Sequence, residues 1–234
     1  MDERVNELQG IETGEISIAC IPTVSPYLYP LILDSLSNQF PKVNFTIHEL
    51  TTESTIEGIS SGIIDLGIVS IPLENKQLLE YELYDEDFLL FDCGKNKKNS
   101  SYSVSDIDIE RLWLLEEGHC LRNQVGKICE LRQQKKINGN LIYSCGSIFT
   151  LIEMVKKNQG VTLLPRLAIS KNKQLSKSTI FPILSPVPMR KIGIITHKHF
   201  IKTRILKQVI STIQEAVEPL IPPLDKRGQM IRPF

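Results

Sequence analysis

The sequence predicts an α/β protein built as two units, the first a parallel sheet covered by helices. Two observations carry that prediction. Strand-like and helix-like patterns alternate at short spacing from Gly14 to Ser70, and a second run of the same kind begins near Glu86. Parallel strands need a crossover connection, and a helix is the usual one. A late strand and a last helix can return to the first unit. That gives a two-lobed body with two crossing segments, and a cleft between lobes is where a ligand normally sits.

In "GEISIACIP", Ile16, Ile18 and Cys20 alternate with polar or small residues before Pro22, which reads as a strand. "SPYLYPLILDSLSNQFP" reads as a helix: Ser25 can cap it, Pro26 suits its first turn, and Leu28, Leu31, Ile32 and Leu36 recur at helical spacing. "KVNFTIHEL" is a strand with Val43, Phe45 and Ile47 inward, and "TESTIEGISSG" a short helix ended by Gly62. "IIDLGIVS" is apolar enough for a strand buried on both faces.

The second run holds strands in "EDFLLFDCG", "RLWLLEEG", "NLIYSCG" and "VTLLP", with "SIFTLIEMVKKNQG" as an amphipathic helix stopped by Gly160. "KIGIITH" is the late strand. In the last helix Ile201, Ile205, Val209, Ile213 and Val217 recur every four residues. The expected boundaries are residues 1–13 as the end of a linker helix, 14–87 with 191–220 as one subdomain, 88–190 as the other, and 221–234 as a poorly ordered tail.

With 234 residues and 41% hydrophobic content, the chain can bury a sizeable core. Lys+Arg and Asp+Glu both number 27, so it lacks the basic excess of a domain that grips nucleic acid by itself. No apolar run approaches the ~18 residues of a membrane span, and "MDERVNELQG" is too polar for a cleavable signal peptide. A cytoplasmic protein is expected, with no membrane partner. Five cysteines at irregular spacing argue against a secreted disulfide framework.

The stretch "EEGHCLRNQVGKICEL" carries Cys120 and Cys129 nine positions apart. If "CLRNQVGKICELRQQ" is a helix, Leu121, Val125 and Ile128 form its apolar stripe, and Cys129 belongs to that side. Nine residues place Cys120 on the opposite side, roughly 13 Å away along the axis. A disulfide needs Cα atoms within about 7 Å, so the two thiols cannot bond in one intact helix. One reading is that Cys129 is core packing and Cys120 incidental, since free cysteine is commonly a small buried hydrophobe. The other is that bonding requires the helix to melt, which would make oxidation a switch. A helix N-terminus and nearby cations, His119 and Arg122 here, favour a reactive thiolate at Cys120. Cys20, Cys93 and Cys145 read as structural.

"GHCLR" with a second cysteine nine residues on resembles the redox switch of the peroxide-sensing members of the LysR-type transcription regulators. "IPTVSPYLYP", "FPKVNFTIHELTT", "DLGIVS", "GVTLLPRLAI" and "PMRKIGI" resemble segments of their regulatory domains in the same order. The resemblance implies two Rossmann-like subdomains arranged as in a periplasmic binding protein. It implies that Cys120 is the peroxide-reactive thiol and Cys129 the resolving one, that their reversible disulfide refolds the segment between them, and that His119 and Arg122 flank the reactive thiol. Thr23, Thr52 and Arg190 match positions that hold peroxide and water nearby. Taken without the resemblance, Thr23 and Thr52 read as strand-end or cap residues and Arg190 as a solvated strand-edge charge. Asn123 stands where the family often has Asp, and Gly126-Lys127 also departs from its pattern.

The implied protein is a sensor that reduces peroxide stoichiometrically and is not an enzyme, with no cofactor and no metal. Its partners are hydrogen peroxide, a second copy in a homodimer or tetramer, and a thiol reductant such as glutaredoxin or thioredoxin. In the full-length protein they include promoter DNA and RNA polymerase, and the DNA-binding head is expected to lie outside this chain. Two rivals stand beside it: a LysR-type effector domain binding a small metabolite, and a thiol peroxidase. His197 and His199 form an HxH that reads as exposed polar filler, with no third ligand close in sequence.

Overall fold

The computed structural model describes residues 12–73, 75–94, 100–115, 120–128, 145–172, 175–222 and 230–231. The chain forms two compact units, Met1–Tyr84 with Lys191–Ile221 and Asp85–Arg190 with Pro222–Phe234. The expected linker end lies largely outside the described residues, as does most of the expected tail.

In the first unit β1 (Gly14–Cys20) is followed by helix α1 (Ser25–Gln39) and β2 (Val43–Glu49). Leu28, Ile32 and Leu36 form the buried stripe of α1, one turn apart. Ser25 is the first helical residue and not the cap: Val24 holds the cap position, and the Ser25 hydroxyl donates instead to Glu49. Helix α2 (Thr52–Ser60) is capped by Thr51 and left through Gly62, whose φ of +74° suits a residue without Cβ. Strand β3 (Leu66–Ile71) is buried at every position.

β1 pairs in parallel with both β2 and β3, as the alternation predicts. The next strand does not continue that pattern. β4 (Leu78–Asp92) is fifteen residues long and starts well before the expected "EDFLLFDCG". Its charges at Glu80, Glu82, Asp85 and Asp87 mask a strand whose partners lie far away in sequence.

In the second unit, helix α3 (Cys120–Ile128) precedes α4 (Ile148–Lys157). Ser147 caps α4, which buries Ile148, Leu151, Ile152 and Val155 as predicted. The left-handed residue after α4 is Gln159, with φ +51°, and not Gly160. Gly160 serves close packing: a Cβ there would lie 2.6 Å from Nε1 of Trp113. The expected strand "RLWLLEEG" is not one across its described residues. Ile109–Arg111 is a 3-10 turn, followed by a single bridge from Leu112 to Val161. The expected strand "NLIYSCG" lies mostly outside the described residues.

β5 (Val161–Pro165), short helix α5 (Arg166–Lys171) and β6 (Ile180–Phe181) follow. Both strands pair antiparallel with β4. β7 (Val187–His197) begins in the second unit and ends in the first, where it pairs antiparallel with β3. Helix α6 (Thr203–Val217) buries Ile205, Val209, Ile213 and Val217, whereas Ile201 precedes the helix and is exposed. α6 closes the first unit against α1, with Gln39 Nε2 donating to Thr212 Oγ1 at 3.3 Å. In the expected tail, β8 (Met230–Ile231) pairs in parallel with Val187–Pro188 of β7.

Candidate functional site

Parallel strands present their carboxyl ends as the ligand-facing edge of an α/β sheet. In the first unit that edge is where β1 and β2 stop, at Cys20 and Glu49. The chain leaves β1 in a tight turn: Ile21 N donates to Ile68 O at 3.1 Å, and Val24 N and Ser25 N both donate to Ile21 O, at 2.9 and 3.0 Å. Thr23 is buried within this turn.

Across the edge, Thr51 accepts from Ser54 N at 3.3 Å and starts α2. Thr51 is therefore the cap, and Thr52 is the first helical residue. The Thr52 hydroxyl is buried and has no hydrogen-bond partner among the described residues. A buried polar atom without a partner is uncommon, and this one stands at the positive end of a helix. Beneath the edge the Tyr29 hydroxyl donates to His48 O at 3.0 Å and to Ile18 O at 3.3 Å, tying β1 to β2. Burial, with Cys20 and Glu49 nearby, pushes this phenol well above its ordinary range.

In the second unit Cys120 is the first residue of α3, and Arg122 belongs to its first turn. Leu121, Gln124 and Val125 face inward, at 1%, 2% and 2% exposure, while Asn123 faces out. His119 and Cys129 lie outside the described residues.

Arg190 is no solvated strand-edge charge. Its side chain is fully enclosed, and so is that of Glu86, a residue sequence reading left without a role. Arg190 Nε donates to Glu86 Oε1 at 2.9 Å, and Nη2 lies 2.8 Å from the same oxygen. Glu86 Oε2 accepts from Leu167 N at 2.9 Å, and the guanidinium lies 5.9 Å from the centre of the Phe88 ring. One residue along β4, Asp87 takes Arg166 with both oxygens at 2.5 Å. The only sequence signal for this network was a pair of acids opening an apolar run.

Cys20 and Cys145 are buried, and Cys93 is half-buried. The His197 and His199 rings lie 5.2 Å apart and line an open cleft of about 450 Å³ with Asp65, Ser61 and Lys202. Among the described residues no group of three or more His, Cys, Asp or Glu side chains could hold a metal ion, and no helix is long and apolar enough to cross a membrane.

The chain belongs to the family of LysR substrate-binding domains, whose model matches residues 9–218. Among its relatives is the HTH-type transcriptional regulator EstR of Acinetobacter baylyi, 33% identical over 80% of this chain and 62% of that protein. The DNA-binding transcriptional dual regulator OxyR of Escherichia coli is 32% identical over 78% of this chain and 60% of that protein. The chain thus spans about three fifths of the length of these curated relatives. Among solved structures, an OxyR mutant from Porphyromonas gingivalis superposes with a TM-score of 0.79 at 26% identity, covering 94% of this chain and all of that one.

Proposed function

We propose that this chain is the regulatory domain of a LysR-type transcription regulator that senses hydrogen peroxide through Cys120 and Cys129. Relatives named OxyR support the class of signal. The observation that carries the reading is the extent of α3. Eight helical steps from Cys120 to Ile128 span about 12 Å. The next Cα follows within about 3.8 Å, so Cys129 cannot bring its Cα nearer than about 8 Å while α3 stands. That exceeds the disulfide limit of about 7 Å, so the bond and the helix exclude each other.

In this reading the Cys120 thiolate attacks one peroxide oxygen, giving a sulfenic acid and hydroxide, which leaves as water with one proton. A thiol at a helix N-terminus is acidified by the helix dipole, which suits Cys120 to the attack. The Cys129 thiol then displaces water from the sulfenic acid to form the disulfide. The resemblance assigns the holding of peroxide to the hydroxyls of Thr23 and Thr52, and the Thr52 hydroxyl has hydrogen-bonding capacity to offer. His119 and Arg122 flank the thiol, and Arg122 supplies positive charge that stabilises the thiolate and the leaving hydroxide. Arg190, enclosed and paired with Glu86, joins this set through the resemblance alone. A small thiol or a glutaredoxin- or thioredoxin-type protein restores the dithiol. The whole protein works as a cytoplasmic homodimer or tetramer on promoter DNA and RNA polymerase, through a DNA-binding head outside this chain.

Peptide mapping after one equivalent of peroxide tests this. A Cys120–Cys129 disulfide is expected, with peroxide consumption ceasing after that equivalent. Pairing of Cys120 with another cysteine, or continued turnover, defeats the proposal. The match to LysR substrate-binding domains supports a second reading, an effector domain for a small metabolite. Calorimetric binding of a small acid by Cys120→Ser, with wild-type protein inert to peroxide, would favour it.

A further inference from the structure

We infer that the buried face of α3 sets the reduction potential of the Cys120–Cys129 couple. This rests on the disulfide reading above and adds which residues tune it. Because the disulfide and α3 exclude each other, the packing energy of α3 enters the reduced state alone. By linkage, whatever stabilises the helix makes the disulfide easier to reduce, and whatever weakens it makes the disulfide harder to reduce.

The face in question is small. Within this nine-residue helix Leu121 and Val125 are one turn apart and almost fully buried, with Gln124 enclosed between them. Val125 lies in mid-helix, away from both ends, so trimming it reports packing and not the surroundings of the thiol. Asn123 is exposed and helical, so substitutions there report backbone propensity and not packing. The two positions give independent handles on one quantity, and Asn123 can be moved in either direction.

The experiment is redox equilibration of the 234-residue chain in glutathione buffers. The disulfide and two glutathione thiols exchange with the dithiol and one glutathione disulfide. Bridged and open forms are counted by mass after alkylation. Val125→Ala is expected to favour the disulfide about tenfold, a shift of about 30 mV to more negative potential. Asn123→Gly shifts the equilibrium the same way by about twofold, and guards against a Val125→Ala protein that fails to fold. Asn123→Ala is expected to oppose the disulfide about threefold, about 15 mV the other way. Potentials equal to wild type in all three variants, or Asn123→Ala and Asn123→Gly moving together, overturn the inference while leaving the disulfide reading intact. Failure of wild-type protein to form the Cys120–Cys129 bond in any buffer overturns both.

Discussion

Glu86 receives Arg190 on one carboxylate oxygen and the Leu167 amide on the other, and neither charged side chain has any exposed surface. Three elements, β4, α5 and β7, converge on one carboxylate. Removing one member of such a pair strands the other charge without water. Glu86→Ala is expected to cost about 3–5 kcal/mol of stability in denaturant titration. The double variant Glu86→Leu with Arg190→Met is expected to recover most of that loss, because the pair's mutual attraction roughly repays its desolvation. A double variant no more stable than the single one would contradict this account.

Tyr29 provides a pH signature. Its phenol is held above the ordinary value of 10.0, first by burial and then by Cys20 and Glu49. The folded chain therefore retains this proton at a pH where the unfolded chain has released it. The stability from this group is fully present below about pH 10 and declines as pH rises above it. Absorbance titration of tyrosinate should show one of the six tyrosines ionising only with alkaline unfolding. Tyr29→Phe should remove that late step and cost about 1 kcal/mol at neutral pH through the hydrogen bonds to His48 and Ile18.

Thiol accessibility separates the structural cysteines from one another. Cys20 and Cys145 are at most 1% exposed, whereas Cys93 is half-buried. Under native conditions an alkylating reagent is expected to label Cys93 well before Cys20 or Cys145, which should react only as the chain unfolds. Labelling of Cys20 at the rate of Cys93 in folded protein would overturn the packing described for β1.

Gly160 is expected to tolerate no side chain. A Cβ there would meet Nε1 of Trp113 at 2.6 Å and the carbonyl oxygen of Arg111 at 3.0 Å. Gly160→Ala should lower stability by about 1–3 kcal/mol and shift the fluorescence of Trp113, the chain's single tryptophan. An unchanged melting temperature and emission spectrum would refute the close approach.

Elements whose order is set by near neighbours were legible in the sequence. α1, α4 and α6 each declare a buried stripe at helical spacing, and β1 and β3 declare their apolar character within seven residues or fewer. What escaped depends on distant partners. The first half of β4 stays unassigned in the sequence because its acid Glu82 is matched by Lys191, more than a hundred positions away. Glu86 is invisible for the same reason, since Arg190 and Leu167 complete it only in the folded chain. Among the candidate site residues, Cys120 announced itself by its neighbours, and α3 does begin at it. Thr23, Thr52 and Arg190 carried no signal of their own and were found by resemblance to known segments.

The pairing of β3 with β7 has a consequence for how the chain is made. Ile71 lies opposite Lys191, so 120 residues must be added before that side of β3 meets its partner. At a synthesis rate of about 5–20 residues per second, the gap is roughly 6–24 s. Every residue of β3 is buried in the finished protein, so during that interval the ribosome displays an apolar edge able to pair with a stranger. The inserted unit is nearly contiguous and can fold meanwhile. Yield at high expression should therefore depend on translation speed and on chaperones that shield the waiting strand.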